Sequence, residues 1–120
     1  MAKLFLDTNW FFDITVRDKE KAKILIGHQI YISPISYHIL YYTEKIKVPN
    51  KNLNGTLTDL EIVSLNREIL ASSLKGPTKD LEDNIQLHSA AKDNCDHFLT
   101  NDKNLLKMKY FGKTEIVSNL

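Results

Sequence analysis

The sequence predicts an α/β domain built on a mostly parallel sheet with helices on both faces. Three observations carry this. Short apolar runs alternate with helical stretches along the chain, the pattern that parallel strands with helical crossovers produce. Two of these runs lead into polar triplets, Asp7-Thr8-Asn9 and Thr100-Asn101-Asp102. No repeat, low-complexity tract or Pro/Gly linker divides the 120 residues, so residues 1–120 are expected to form a single domain.

Each element follows from local chemistry. Lys3 to Leu6 is an apolar run that suits a buried strand, and Asp7-Thr8-Asn9 then supplies helix-start residues for Trp10 to Val16. Asp18 is expected to cap a second helix that stops at Gly27. Gln29 to Ile32 suits a second strand. Ser33-Pro34 places a capping hydroxyl before a proline, the order favoured at a helix entrance, and the helix is expected to reach about Lys47. Pro49 to Thr58 is polar and is assigned as loop, with Leu60 to Leu65 a third strand. Asn66 caps a helix over Arg67 to Leu74, which Gly76-Pro77 breaks. Asp80 caps the next, running to about Asn94, with Asp83 three residues on as in a capping box. His97 to Leu99 is a short strand, Leu105 to Met108 a helical turn, and Thr114 to Val117 the last strand.

Composition narrows the class. Sixteen Lys and Arg against fifteen Asp and Glu give a net charge of +1, so the domain lacks the basic excess typical of a nucleic-acid binder. Locally, residues 103–120 carry Lys103, Lys107, Lys109 and Lys113 against Glu115 alone. No apolar run approaches the ~18–20 residues of a membrane span. The opening stretch meets Asp7 too early for a secretory leader. One cysteine, Cys95, excludes an intrachain disulfide and a cysteine metal knuckle. A reducing, cytoplasmic setting is the expectation.

Acids recur where an α/β sheet places its sites, at strand carboxyl ends and helix starts. Asp7 follows the first strand, Asp102 follows the fourth, and Asp80, Glu82 and Asp83 open a helix. Crowded carboxylates repel one another and call for a cation. Oxygen ligands without cysteine select Mg²⁺ or Mn²⁺, and such ions support phosphodiester hydrolysis.

The ordered set of motifs resembles the PIN domain family, in particular the small PIN ribonucleases that act as VapC-type toxins. The chain has LFLDTNWFFDI at its start, YISPISYHILYY after the second strand, DLEDNIQLHSAA at the acidic helix and HFLTND at the fourth strand. The gap from Asp83 to Asp102 suits the family's spacing, and the likeness spans nearly the whole chain. The resemblance implies a three-layer α/β/α fold and a Mg²⁺- or Mn²⁺-dependent endoribonuclease that leaves a 5′-phosphate. It further implies the toxin of a type II toxin–antitoxin pair, with RNA as substrate, a cognate antitoxin as partner and a homodimeric state.

By motif position, the resemblance makes Asp7, Asp83 and Asp102 the catalytic metal ligands. Thr8 and Asn9 would orient Asp7, Thr100 would place its hydroxyl in the site, and Glu82 would add charge. Lys103 and Lys107 would stand at the rim and hold RNA phosphates. One position departs from the family. Many PIN domains carry a Glu roughly six residues after the Ser of the second motif; counted from Ser33, that slot is Ile39. Glu44, five residues on, lies about 140° around the helix. The gap keeps a second reading open, a PIN-like RNA- or protein-binding module with weak or no nuclease activity. A phosphoacceptor receiver domain is a third, weaker match, because only Asp7 stands at the first strand end. Trp10, Phe11, Phe12 and the group Tyr31, Tyr37, Tyr41 and Tyr42 are expected to pack in the core or an interface. Cys95 is expected to be buried.

Overall fold

The computed structural model describes all 120 residues. The strands are β1 (Lys3–Leu6), β2 (Gln29–Ile32), β3 (Glu61–Ile62), β4 (His97–Leu99), β5 (Tyr110–Phe111) and β6 (Thr114–Val117). They form one sheet in the order β3-β2-β1-β4-β6-β5. All neighbours are parallel except β5 and β6. The α-helices are α1 (Thr8–Phe12), α2 (Pro34–Thr43), α3 (Lys51–Gly55), α4 (Arg67–Ser73), α5 (Leu81–Lys92) and α6 (Lys103–Met108). No helix is long and apolar enough to cross a membrane.

Side chains alternate across the sheet, so each strand feeds two apolar layers. Phe5, Phe98 and Ile116 pack with Ile69, Ile85, Leu87 and Leu105 beneath α4, α5 and α6. Leu4, Leu6, Ile30 and Leu99 face the other way onto Trp10 and Leu25. Phe11, Phe12, Ile32, Leu40 and Leu53 extend that second layer under α2 and α3. The result is helix, sheet, helix. Trp10, Phe11 and Phe12 are core residues, whereas Tyr42 is exposed. Cys95 is buried, and its thiol is pushed up to about 12, mainly by that burial.

The strand order reverses at the centre. β1 leads outward through β2 to β3 on one side, and β4 leads through β6 to β5 on the other. The crevice above the β1 and β4 carboxyl ends is therefore the switch point, where parallel α/β sheets bind ligands.

Several boundaries differ from sequence expectation. The first helix ends at Phe12 and continues as a π-type turn over Asp13–Arg17. Lys19–Leu25 is a 3₁₀ segment rather than an α-helix, and the Asp18 side chain makes no capping bond. Glu44 caps α2, which stops at Thr43 instead of Lys47. The segment assigned as loop holds α3, because Asn50 accepts from the Leu53 amide and caps it. A 3₁₀ turn over Thr56–Thr58 follows, and β3 keeps only two residues. β5 escaped notice, although Gly112 (φ +61°) and Lys113 make a two-residue hairpin turn that glycine suits.

The loop that delivers α5 is tied down by Asn84. Its Nδ2 donates to the carbonyls of Ser73 and Thr78, both at 2.9 Å. Its Oδ1 accepts from Thr78 N at 2.9 Å and Thr78 Oγ1 at 2.6 Å. Asn84 is 3% exposed, so truncation leaves buried groups unpaired. Asn84→Ala is expected to cost about 2–3 kcal/mol in urea denaturation.

Candidate active site

Asp7 follows β1 and begins α1. The β1–β4 register aligns Leu6 with Leu99, which sets Asp7 beside Thr100. The Asp7 amide donates to the Leu99 carbonyl at 3.1 Å. Thr100 Oγ1 donates to Asp7 Oδ2 at 2.5 Å, and the Trp10 amide donates to Asp7 Oδ1 at 3.0 Å. Asp7 is 6% exposed and Thr100 fully buried. Burial pushes the Asp7 carboxyl above the usual carboxylate range; the Thr100 bond and the Trp10 and Asn9 amides pull the other way.

Thr8 and Asn9 do not orient Asp7 with their side chains. Thr8 Oγ1 lies 3.1 Å from Ser36 Oγ and accepts from Gln86 Nε2 at 3.0 Å, so it joins α1 to α2 and α5. Asn9 is exposed and meets Asp7 through its backbone amide.

Asp83 lies in the first turn of α5, where the Asp80 side chain accepts from its amide at 2.9 Å. Its carboxyl is pushed up to about 7. Burial is the largest cause, followed by the charges of Asp80, Asp102, Glu82 and Asp7. Four other acids thus bear on one carboxylate. Glu82 Oε2 accepts from Gln86 Nε2 at 3.1 Å. Asp102 is exposed and caps α6, accepting from the Asn104 and Leu105 amides, while its own amide donates to Thr100 Oγ1 at 3.0 Å. Lys103 and Lys107 are exposed on α6 just beyond Asp102, one helical turn apart.

The donors here are carboxylate and hydroxyl oxygens, which fit a hard divalent cation in chemistry and charge. No three acid, His or Cys side chains form a closed ligand set.

Ile39 carries no acid into this group. It packs against the apolar cluster of Phe11, Phe12 and Leu40. Glu44 is exposed and lines a separate groove of about 920 Å³ with Ile14, Leu25, Ile46 and Leu60. None of Asp7, Glu82, Asp83 and Asp102 lines that groove.

Two buried members of the site were not anticipated, Ser36 and Gln86. The spacing of Gln86, four residues after Glu82 and three after Asp83, puts all three on one helix face. That signal was present in the sequence. Gln86 Oε1 is buried without a hydrogen-bond partner, an arrangement that costs about 1–3 kcal/mol.

No protein-family model matches the chain, and no curated protein matches it. Solved structures do. The fold is similar to that in the crystal structure of VapBC2 from Rickettsia felis bound to a DNA fragment from their promoter. That match has a TM-score of 0.67 and 20% identity over 96% of this chain and 97% of that one. It is also similar to a toxin–antitoxin complex from Klebsiella pneumoniae, with a TM-score of 0.72 and 18% identity over 92% and 94% of the two chains. At such identity the likeness is one of fold. The three-layer, mostly parallel architecture is the PIN-like one expected from the motifs.

The Asp83 shift gives a pH signature. An unfolded aspartate titrates near 3.8, and folded Asp83 near 7. Between these values the folded chain holds a proton that the unfolded chain has released, so stability falls as pH rises. The contribution is complete below about pH 4 and lost as pH passes 7. Asp83→Asn removes the ionised carboxylate, and with it both the cost of burying that charge and its repulsion from the other acids, at every pH. In EDTA buffer its Tm is expected to exceed that of the unaltered protein at pH 8, with the gap closing toward pH 4. An equal gap at both pH values would place the effect outside this titration.

Proposed function

We propose that the chain is a Mg²⁺- or Mn²⁺-dependent endoribonuclease and the toxin of a toxin–antitoxin pair. One observation carries the chemistry: Asp83 is raised by burial first and then by the charges of Asp80, Asp102, Glu82 and Asp7, so these acids act on one another near the switch point of the sheet. Such a group gains most from a divalent cation. Asp7, Asp83 and Asp102 would hold it. The chemistry gained when it is bound is activation of water and neutralisation of phosphate charge.

The chain's own residues do the rest. Thr100 fixes one Asp7 oxygen with its hydroxyl, and the Trp10 amide fixes the other, so the carboxylate cannot rotate away. Lys103 and Lys107 stand exposed beside Asp102, where they would hold RNA phosphates against a site that is otherwise acidic. The biological role is supported by the fold neighbours, which are toxin–antitoxin assemblies. An antitoxin partner and a homodimeric state belong to the same proposal.

A second reading has its own support. Ile39 packs into an apolar cluster, which removes an acid that many PIN domains have there. A binding module with little cleavage would follow from a weaker metal site.

One experiment separates them. Purified, partner-free protein is incubated with labelled total RNA in Mg²⁺, Mn²⁺ or EDTA, with Asp7→Asn as control. Discrete fragments that need the metal and vanish in the variant are expected. Intact RNA under both metals, from folded protein, would instead favour the binding module.

A further inference from the structure

We propose that Gln86 is the positioning residue of the acidic site: its buried side-chain amide holds the Glu82 carboxylate beside Thr8, so that the Glu82 charge stays with those of Asp7 and Asp83. The proposal rests on the metal-dependent reading above and adds a residue to it.

The geometry is specific. Gln86 Nε2 donates to Glu82 Oε2 at 3.1 Å and to Thr8 Oγ1 at 3.0 Å. Both acceptors face the same nitrogen, and this sets the amide's orientation. The reverse orientation would press its oxygen against the Glu82 carboxylate. Thr8 Oγ1 also lies 3.1 Å from Ser36 Oγ, a bond in which either hydroxyl can donate. The chain of bonds crosses α5, α1 and α2 above the sheet. Gln86 is 1% exposed, Thr8 5% and Ser36 0%. Thr8 adjoins Asp7, and the Glu82 charge acts on both Asp7 and Asp83. Glu82 held by this amide is therefore kept inside the group of acids instead of swinging into solvent from the first turn of α5.

Stability alone does not explain a glutamine here. Its Oε1 is buried and unpartnered, an unfavourable state that a methionine of similar length would avoid. The two donors are what a methionine could not supply. Gln86 and Glu82 lie one turn apart on α5, which lets the amide reach the carboxylate.

The test measures Mn²⁺ binding to the purified, partner-free protein by electron paramagnetic resonance, together with Tm. Gln86→Met is expected to lower Mn²⁺ affinity about tenfold or more while Tm stays level or rises. Glu82→Gln is expected to lower affinity too, and the double variant to lose little beyond Glu82→Gln alone. Unchanged affinity in Gln86→Met overturns the proposal, as do single losses that simply add in the double variant; neither touches the nuclease reading. Unaltered protein that binds no Mn²⁺ overturns the metal-dependent reading and this proposal with it, a result seen before any variant is made. Where Gln86→Met does not fold, Glu82→Ala decides by nuclear magnetic resonance. The Gln86 side-chain amide protons are then expected to shift and to exchange faster with solvent; signals that stay in place overturn the proposal.

Discussion

The hydrogen bond from Thr100 Oγ1 to Asp7 Oδ2 joins two strand ends, and the rest of the site depends on it. It exists because β1 and β4 are parallel neighbours in register, Leu6 against Leu99. A carboxylate at 6% exposure is costly unless it is paired. Thr100 and the Trp10 amide make it tolerable, and the same two donors fix its direction. Thr100 Oγ1 also accepts from the Asp102 amide. One hydroxyl thus connects the acid after β1 to the acid after β4. With a different strand order, these residues would lie at separate sheet edges.

The third arm of the site comes from α5, and its placement is a matter of packing. Ile85, Leu87 and Ala90 belong to the apolar layer under the sheet. They leave the first turn, with Glu82 and Asp83, to project at the crevice. Asn84 braces the preceding loop through Ser73 and Thr78. The acids are therefore brought near one another by hydrophobic burial and amide hydrogen bonds, against their own repulsion. The raised carboxyl of Asp83 reflects its burial first and that repulsion second. A site assembled this way spends fold stability on function, a trade common at functional sites.

Much of the architecture was legible in the residues. The strands Lys3–Leu6, Gln29–Ile32, His97–Leu99 and Thr114–Val117 follow from short apolar runs bounded by polar clusters. The caps at Ser33, Asn66 and Asp80 follow from side chains able to bond the first free amides. Illegible elements were those whose conformation is set by context. Lys19–Leu25 winds as a 3₁₀ segment although its composition suits an α-helix. β3 keeps only Glu61–Ile62, paired with Tyr31 and Ile32 at the end of β2. α3 was hidden by its polar residues, although Leu53 anchors it in the core.

The site divides along the same line. The sequence by itself determined which residues carry charge, that Asp7 and Asp102 follow strands, that Asp83 opens a helix, and that position 39 holds no acid. These depend on local order along the chain, which short-range chemistry encodes. Only the tertiary structure decided that Thr8 turns from Asp7 toward Ser36 and Gln86. It also decided that Thr100 is the hydroxyl Asp7 uses, and that Glu44 faces a different groove. Partners separated by 28, 78 and 93 residues meet through sheet register and helix packing, and neither is encoded in any single stretch of the chain.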